Sequence, residues 1–419
     1  MPPNVRPHRS ARGRPSPTPR RRGRKSGDAY GTRAHRHPPP GPITECHDAP
    51  LPEVCPHCNG PLIETDTADQ FQTEIPRVPR VRQFRIHVGH CGACGRPARG
   101  RHPLQTSDAL GAAASRIGPD AQAAVALLHT QAGLSHGKVA AVFRALFGIA
   151  LSRGASAQIN GRVGTRLEPD YRRVLDEVRA SEPIAADETG WRVGGQSAWL
   201  HVWVGDRASA SAIDSQRGAA VLERVIGWDW SGILSHDGFE GAIHQSCLAH
   251  VRRRARELLA RAARGAVRFP RGLIALLTEA VHQRNQEAEG AYTEDQREQR
   301  RSQFDDRLRA LVSRRRAVPE YATLAKHLRT HLEQWFTFVF DPRVEPTNWK
   351  AEQAIRPAVV DRKVWGGNRT RAGADAHQAL MSVFETCRRH ARSVLDHVSL
   401  TLRAFGNRLL QRPTLLPQR

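Results

Sequence analysis

The chain contains no apolar run near the roughly 18 to 20 residues that span a bilayer, which argues against membrane insertion. It has no GxxxxGK[ST] loop, so the backbone cradle of a nucleotide-hydrolysing engine is missing. Tyrosine is scarce: Tyr30, Tyr171, Tyr292 and Tyr321 are the full set, and none lies in the C-terminal helical stretch where recombination through a covalent tyrosine would want its nucleophile. The basic N-terminus is not followed by an apolar core, which argues against a secretory signal. Acid is also short relative to base, with 41 aspartates and glutamates against 64 lysines and arginines in 419 residues.

The resulting net charge of +23 makes a polyanion the expected partner, because every phosphate neutralised by a base releases a condensed counterion. Double-stranded DNA is the natural reading. Arginine is common and lysine rare, as a GC-rich genome imposes, but that bias does not explain the excess of bases over acids. A hydrophobic content of 39% in a chain of this length suffices for a sizeable core and two to four structural units.

Seven cysteines are too few for a disulfide scaffold of this size, and four of them form two CxxC pairs, which points to metal binding in a reducing cytoplasm. Cys55-Pro56-His57-Cys58-Asn59-Gly60 and Cys91-Gly92-Ala93-Cys94-Gly95 read as the two knuckles of a zinc ribbon, with Cys55, Cys58, Cys91 and Cys94 as the Zn²⁺ ligands. Gly95 and the Asn59-Gly60 pair permit the tight turn that aims amides at thiolates. His57 and His90 stand beside ligands, but four thiolates already fill a tetrahedron; Cys46 reads as a spare thiol.

Residues 1–42, rich in Pro, Arg, Gly and Ser, read as a disordered basic arm that either lies along DNA phosphates or remains a solvated tail. The ribbon occupies 46–102. A helical segment, 110–180, shows three short helical patterns (Ala121 to Leu128, Lys138 to Phe147, Gly154 to Val163) that suit either a helix-turn-helix-like unit or an ordinary bundle. The period then shortens. Pro183 to Trp191, Ala198 to Val204, Ala208 to Ile213 and Gly232 to His236 read as strands, with a helix at Ala219 to Ile226 before the last. Residues 181–245 thus open a ribonuclease H-like α/β core, 246–340 read as a helical insertion, 341–375 as a glutamate-bearing helix closing the core, and 376–419 as C-terminal helices.

Asp187 and Asp237 stand at strand ends, where side chains emerge into a cleft. Glu352 lies in the basic segment Asn348-Trp349-Lys350-Ala351-Glu352-Gln353-Ala354-Ile355-Arg356, whose helical reading puts Asn348, Glu352 and Arg356 on one face. Three converging carboxylates can hold two Mg²⁺ or Mn²⁺ ions about 3.5 to 4 Å apart for in-line displacement at phosphorus. Each also has a plain reading: Asp237-Gly238 as a turn, Glu352 as half of a salt bridge with Lys350 or Arg356, and Glu188 as a competitor of Asp187. Cys247 and His250 either bind metal or pack the start of the insertion. Trp191, Trp199 and Trp203 read as core, and Trp365, between Lys363 and Gly366-Gly367, allows a base contact. His35-Arg36-His37 is a weak echo of the paired histidines of single-strand nickases.

The ordered set Cys55-Pro56-His57-Cys58, Asp187-Glu188-Thr189-Gly190-Trp191, Ser215-Gln216-Arg217-Gly218, His236-Asp237-Gly238-Phe239, Cys247-Leu248-Ala249-His250-Val251-Arg252-Arg253, Asn348 to Lys363, and Ser382-Val383-Phe384-Glu385-Thr386-Cys387 resembles the transposases of the insertion-sequence-66 family, a DDE group with a ribonuclease H-like core. The resemblance implies that Asp187, Asp237 and Glu352 form the metal-binding triad of a DNA transposase, working on element ends and target DNA as a homo-oligomer in the prokaryotic cytoplasm, associated with the nucleoid. Arg252, Arg253, Asn348, Arg356, Arg362 and Lys363 are the expected DNA contacts, most of them to the backbone. The family usually carries an acidic residue and two asparagines before its glutamate and an arginine after it; here Thr347-Asn348-Trp349 and Gln353 stand there, so one DNA contact is expected to be absent. The alternative function is a non-catalytic zinc-ribbon DNA-binding protein, a decayed copy that binds ends without cutting them.

Overall fold

The computed structural model describes residues 42–67, 73, 75, 78–102, 104–105, 117–227, 229–236, 243–262, 266–286, 292–314, 317–406 and 410–416. The expected basic arm, up to residue 41, and Asp237 lie outside the described residues. The chain divides into two compact units, Met1–Arg77 and Val78–Arg419, with the boundary inside the segment read as the ribbon.

In the first unit the Cys55 knuckle is closed by the Asn59 N–H donating to the Cys55 carbonyl (2.9 Å) and the Cys55 N–H donating to Gly60 (3.0 Å). Asn59 takes the left-handed conformation, φ 57°, which asparagine tolerates better than most residues. The second unit opens with an antiparallel pair, β1 (Val88–His90) and β2 (Pro97–Arg99), joined by the second knuckle. There Gly95 supplies the left-handed residue at φ 68°, its N–H on the Cys91 carbonyl at 2.9 Å. The amides of His57 and Cys58 hold the Cys55 thiol below its ordinary range, and those of Cys94 and Ala93 do the same for Cys91.

Three helices follow: α1 (Pro119–Thr130), α2 (His136–Phe147) and α3 (Arg153–Arg179). Ser135 and Ser152 cap α2 and α3 through their hydroxyls, and Gly148 ends α2 in the left-handed conformation. The third helix is 27 residues long and not the short element expected to end near Val163. Pro169 lies inside it, a residue that ordinarily breaks a helix. The apolar stripe carries the helix through, because Ile159, Val163, Leu167, Tyr171, Val174 and Val178 recur every three or four residues and are all buried. Gly164 lets α3 cross α11 (Arg371–Arg389) in backbone contact: a Cβ there would lie 2.5 Å from that of Ala376.

The core is a five-stranded mixed sheet in the order β5-β4-β3-β6-β7. Its strands are β3 (Pro183–Val193), β4 (Gln196–Val204), β5 (Ser209–Asp214), β6 (Ile233–His236) and β7 (Ile243–Ser246), with helix α4 (Ala219–Ile226) between β5 and β6. The first three strands pair antiparallel; β3 with β6 and β6 with β7 pair parallel. The sequence reading has no counterpart for β7. Unbroken register between β3 and β4, with Asp187 opposite Val202, preserves strict alternation of faces along β3. Ile184 and Ala186 enter one core with α1, α2, α3, α11 and α12 (Val394–Gly406). Ala185, Trp191 and Val193 enter another, against Ala351, Ala354, Ile355 and Ala358 of α10 (Trp349–Trp365).

Between β7 and α10 stand α5 (Leu248–Arg261), α6 (Arg268–Gln286), α7 (Glu294–Ser313), α8 (Pro319–Thr330) and the single turn α9 (Thr337–Phe340). They bury their own core, including Leu273, Phe304, Leu308, Leu324, Trp335 and Phe336. The Leu248 N–H donates to the Pro346 carbonyl at 3.0 Å, so the insertion leaves and re-enters the core at one point.

Candidate active site

Asp187 is half-buried on the central strand, with one carboxylate oxygen accepting the Glu188 N–H at 2.9 Å. Alternation gives it the odd-numbered parity of Ala185, Trp191 and Val193, hence the sheet face that α10 covers. Glu188 has the opposite parity, and the Arg217 guanidinium grips it from two nitrogens at 2.9 and 2.7 Å. Arg217 in turn lies over the Trp199 ring, 4.6 Å from its centroid. The Ser215 to Gly218 motif therefore supplies the partner of Glu188, leaving Asp187 as the acid on the α10 side.

Glu352 occupies the first turn of α10 and is exposed, as are Trp349, Gln353 and Arg356. Lys350 pairs with Glu345 at 3.7 Å, not with Glu352. Asn348 is the N-cap of the helix and differs from its expected position. Its backbone is not helical (φ −83°, ψ 29°), so its side chain leaves the face shared by Glu352 and Arg356 and turns inward, 2% exposed. The side-chain amide donates to the Ala186 carbonyl at 2.7 Å, one residue before Asp187. The Asn348 N–H reaches the Cys247 sulfur at 3.3 Å, and its carbonyl accepts the Glu352 N–H at 3.0 Å. One residue thus ties the strand of Asp187, the helix of Glu352 and the start of α5 together, in place of the expected DNA contact.

Cys247, the N-cap of α5, is buried, with its thiol directed at a Glu352 oxygen 4.0 Å away. Burial is the main influence raising this thiol, and the Glu352 charge adds to it, against the amides of Asn348, Ala249 and His250. His250 lies three residues on, and one ligand atom each from Cys247, His250 and Glu352 fall within 4.8 Å of one another. Along the chain Cys247 and His250 read either as metal ligands or as packing at the start of the insertion, with no second such pair near them; the fold brings Glu352 to them from 105 residues beyond the cysteine.

The expected basic contacts are unevenly placed. Arg253, Arg356 and Lys363 are exposed and Arg252 is half-buried. Arg362 is exposed too, yet its guanidinium donates to the Thr189 hydroxyl (2.8 Å) and the Gly190 carbonyl (3.1 Å), strapping α10 to β3. Trp365 is half-buried, its ring stacked on His129 (ring centroids 4.8 Å) and edge-on to Trp191 (5.5 Å), against the core beneath α10.

A buried polar cluster beneath α10 had no reading in the sequence. Asp361 is wholly buried, and loss of solvent pushes its carboxyl up to about 7, with the Trp365 indole opposing. His377 lies 3.8 Å from it, stacked on Trp191, and burial draws its imidazole down to about 3. Both charged forms are disfavoured here, which makes the neutral pair the preferred state.

The chain is thus a strongly basic α/β protein with one acid on the middle strand of a mixed sheet and a second on the helix clamped beside it. The family described as Transposase IS66 family matches residues 114–376, more than half of the chain, and the chain belongs to that family. No curated protein matches it. No helix among the described residues is long and apolar enough to cross a membrane.

Proposed function

We propose that the chain is a DNA transposase that binds the ends of its element and carries out metal-dependent strand cleavage and strand transfer, with Asp187, Asp237 and Glu352 holding Mg²⁺ or Mn²⁺. The observation that carries this reading is the Asn348 clamp. Its bond to Ala186 and its carbonyl bond to the Glu352 N–H hold the glutamate's first helical turn beside the strand segment of Asp187. Strand order supports it as well: three antiparallel strands followed by two parallel ones, in the order β5-β4-β3-β6-β7, is the arrangement of a ribonuclease H-like core. In the parallel pairing Ala185 faces Ser235, and Asp187 and Asp237 each follow two residues later in the sequence.

The donors suit the ion, since carboxylate oxygens are the ligands that hard divalent cations take. When bound, such ions activate the attacking oxygen and stabilise the leaving one. The protein's own part is positional. Asn348 and the Arg362 strap fix α10 on β3, Arg217 withdraws Glu188, and the exposed Arg253, Arg356 and Lys363 hold the DNA backbone without reading its sequence.

The two CxxC knuckles, each with amides turned onto its first thiol, are proposed to carry Zn²⁺ through Cys55, Cys58, Cys91 and Cys94. The helices α1 to α3 are proposed as a further DNA-contacting unit, and joining two ends calls for more than one protomer.

The test is cleavage and joining of labelled element ends in Mg²⁺. Asp187→Ala should abolish both and leave end binding within about twofold, since a catalytic carboxylate adds nothing favourable to polyanion affinity. Wild-type protein that binds ends but neither cuts nor joins them would instead establish the non-catalytic DNA-binding protein.

A further inference from the structure

Cys247, His250 and Glu352 bring a sulfur, an imidazole nitrogen and a carboxylate oxygen together from two helices. We infer that these three side chains form a binding site for a borderline-soft divalent cation, Zn²⁺ in the first instance, separate from the CxxC knuckles and sharing Glu352 with the Mg²⁺ site proposed above, so that the two ions compete for that carboxylate. The donor set decides the class of ion. Mg²⁺ and Ca²⁺ take oxygen ligands and have little use for sulfur, whereas one thiolate, one imidazole and one carboxylate are all ordinary zinc ligands. Three protein ligands leave one position of a tetrahedron for water.

The site is held in place without an ion. Cys247 and His250 are three residues apart at the start of α5, so both belong to its first turn. Glu352 comes from the first turn of α10, and the two helix starts are fastened to each other by Leu248 N–H on the Pro346 carbonyl and Asn348 N–H on the Cys247 sulfur. Cys247 and Glu352 already stand 4.0 Å apart, so a small contraction suffices to place both on one ion. On binding, the thiol proton leaves to solvent and a sulfur–metal bond forms; no redox change is involved.

The inference does not depend on DNA cleavage being the activity of the chain, and its test reads metal directly. The purified full chain is saturated with Zn²⁺, freed of excess, and its zinc content is compared with that of Cys247→Ser, His250→Ala and Glu352→Gln. Each variant should carry one zinc ion per chain fewer than wild type, the single ribbon ion being common to all. With Co²⁺ as the probe, the wild-type minus Cys247→Ser spectrum should show a thiolate-to-cobalt charge-transfer band together with visible bands of tetrahedral intensity. Far-ultraviolet circular dichroism establishes folding. If the buried Cys247→Ser change unfolds the chain, the exposed Glu352→Gln gives the same count. Equal zinc content in all four proteins overturns the site. Loss in Cys247→Ser alone also overturns it, because that reports a lone thiol and not a three-ligand centre.

Discussion

Replacing Asn348 separates two roles that the same residue could hold. Its side-chain amide makes one buried hydrogen bond, 2.7 Å to the Ala186 carbonyl, at a residue 2% exposed. Asn348→Ala removes that bond and the volume of the amide, and losing one such buried partner costs about 1–3 kcal/mol. The melting temperature should fall by a few degrees. Activity should suffer more than stability. Without the clamp the first turn of α10 is free to shift relative to Asp187, and a displacement of about 1 Å at a reacting centre costs roughly 10²-fold in rate. Asn348→Asp keeps the shape but sets a carboxylate oxygen against the Ala186 carbonyl oxygen, so it should be the more damaging of the two. The assays are thermal unfolding, strand cleavage under single-turnover conditions, and end binding at fixed salt. A clamp predicts lower stability and a lower cleavage rate with affinity for DNA nearly unchanged. Undiminished stability with weakened DNA binding would refute the clamp and restore Asn348 as a DNA contact.

Asp361→Asn should stabilise the protein in alkaline conditions. The folded carboxyl is raised to about 7 from an unfolded value near 3.8, so wild-type stability falls as pH rises from about 4 to about 7 and is lowest above that. The amide does not titrate, so the variant's advantage in chemical denaturation should reach about 1–4 kcal/mol at pH 8 and shrink below pH 5; a constant difference would mean that the carboxyl is not perturbed. Gly164→Ala places a methyl 2.5 Å from the Ala376 Cβ and 2.6 Å from its Cα, where backbone must move. Overpacking of this kind costs about 1–3 kcal/mol, and an unchanged denaturation midpoint would mean that α3 and α11 separate freely. Chelation of zinc should unfold the region from about Cys55 to Gly95, since structural zinc supplies folding free energy; hydrogen exchange there that ignores the chelator would show that the cysteines are not ligands.

Strands β3 to β6 and the helix Ala219–Ile226 were legible because period-2 and period-3.6 patterns survive in a single sequence wherever an element has one wet and one dry face. Acid count, basic excess and the spacing of Asp187, Asp237 and Glu352 were legible for the same reason: they are matters of residue type and order. Where the reading went astray, the cause was a departure from regular geometry. Pro169 concealed the length of α3, and a helical wheel does not apply to Asn348, whose N-cap backbone is not helical. The pairing of Glu188 with Arg217, the pair Asp361 and His377, and the packing of Trp365 rest on contacts between distant segments, which carry no local pattern.

By itself, then, the sequence determined the chemistry on offer: carboxylates for hard cations, thiols in CxxC pairs, and bases for a polyanion. Only the tertiary structure decided which of these groups meet. It put Asp187 on the face that α10 covers, since parity along a strand has meaning only once a helix has chosen its side of the sheet. It also brought Cys247 and His250 to Glu352, because the helical insertion folds on its own core and returns the chain at Pro346 to the residue where it left.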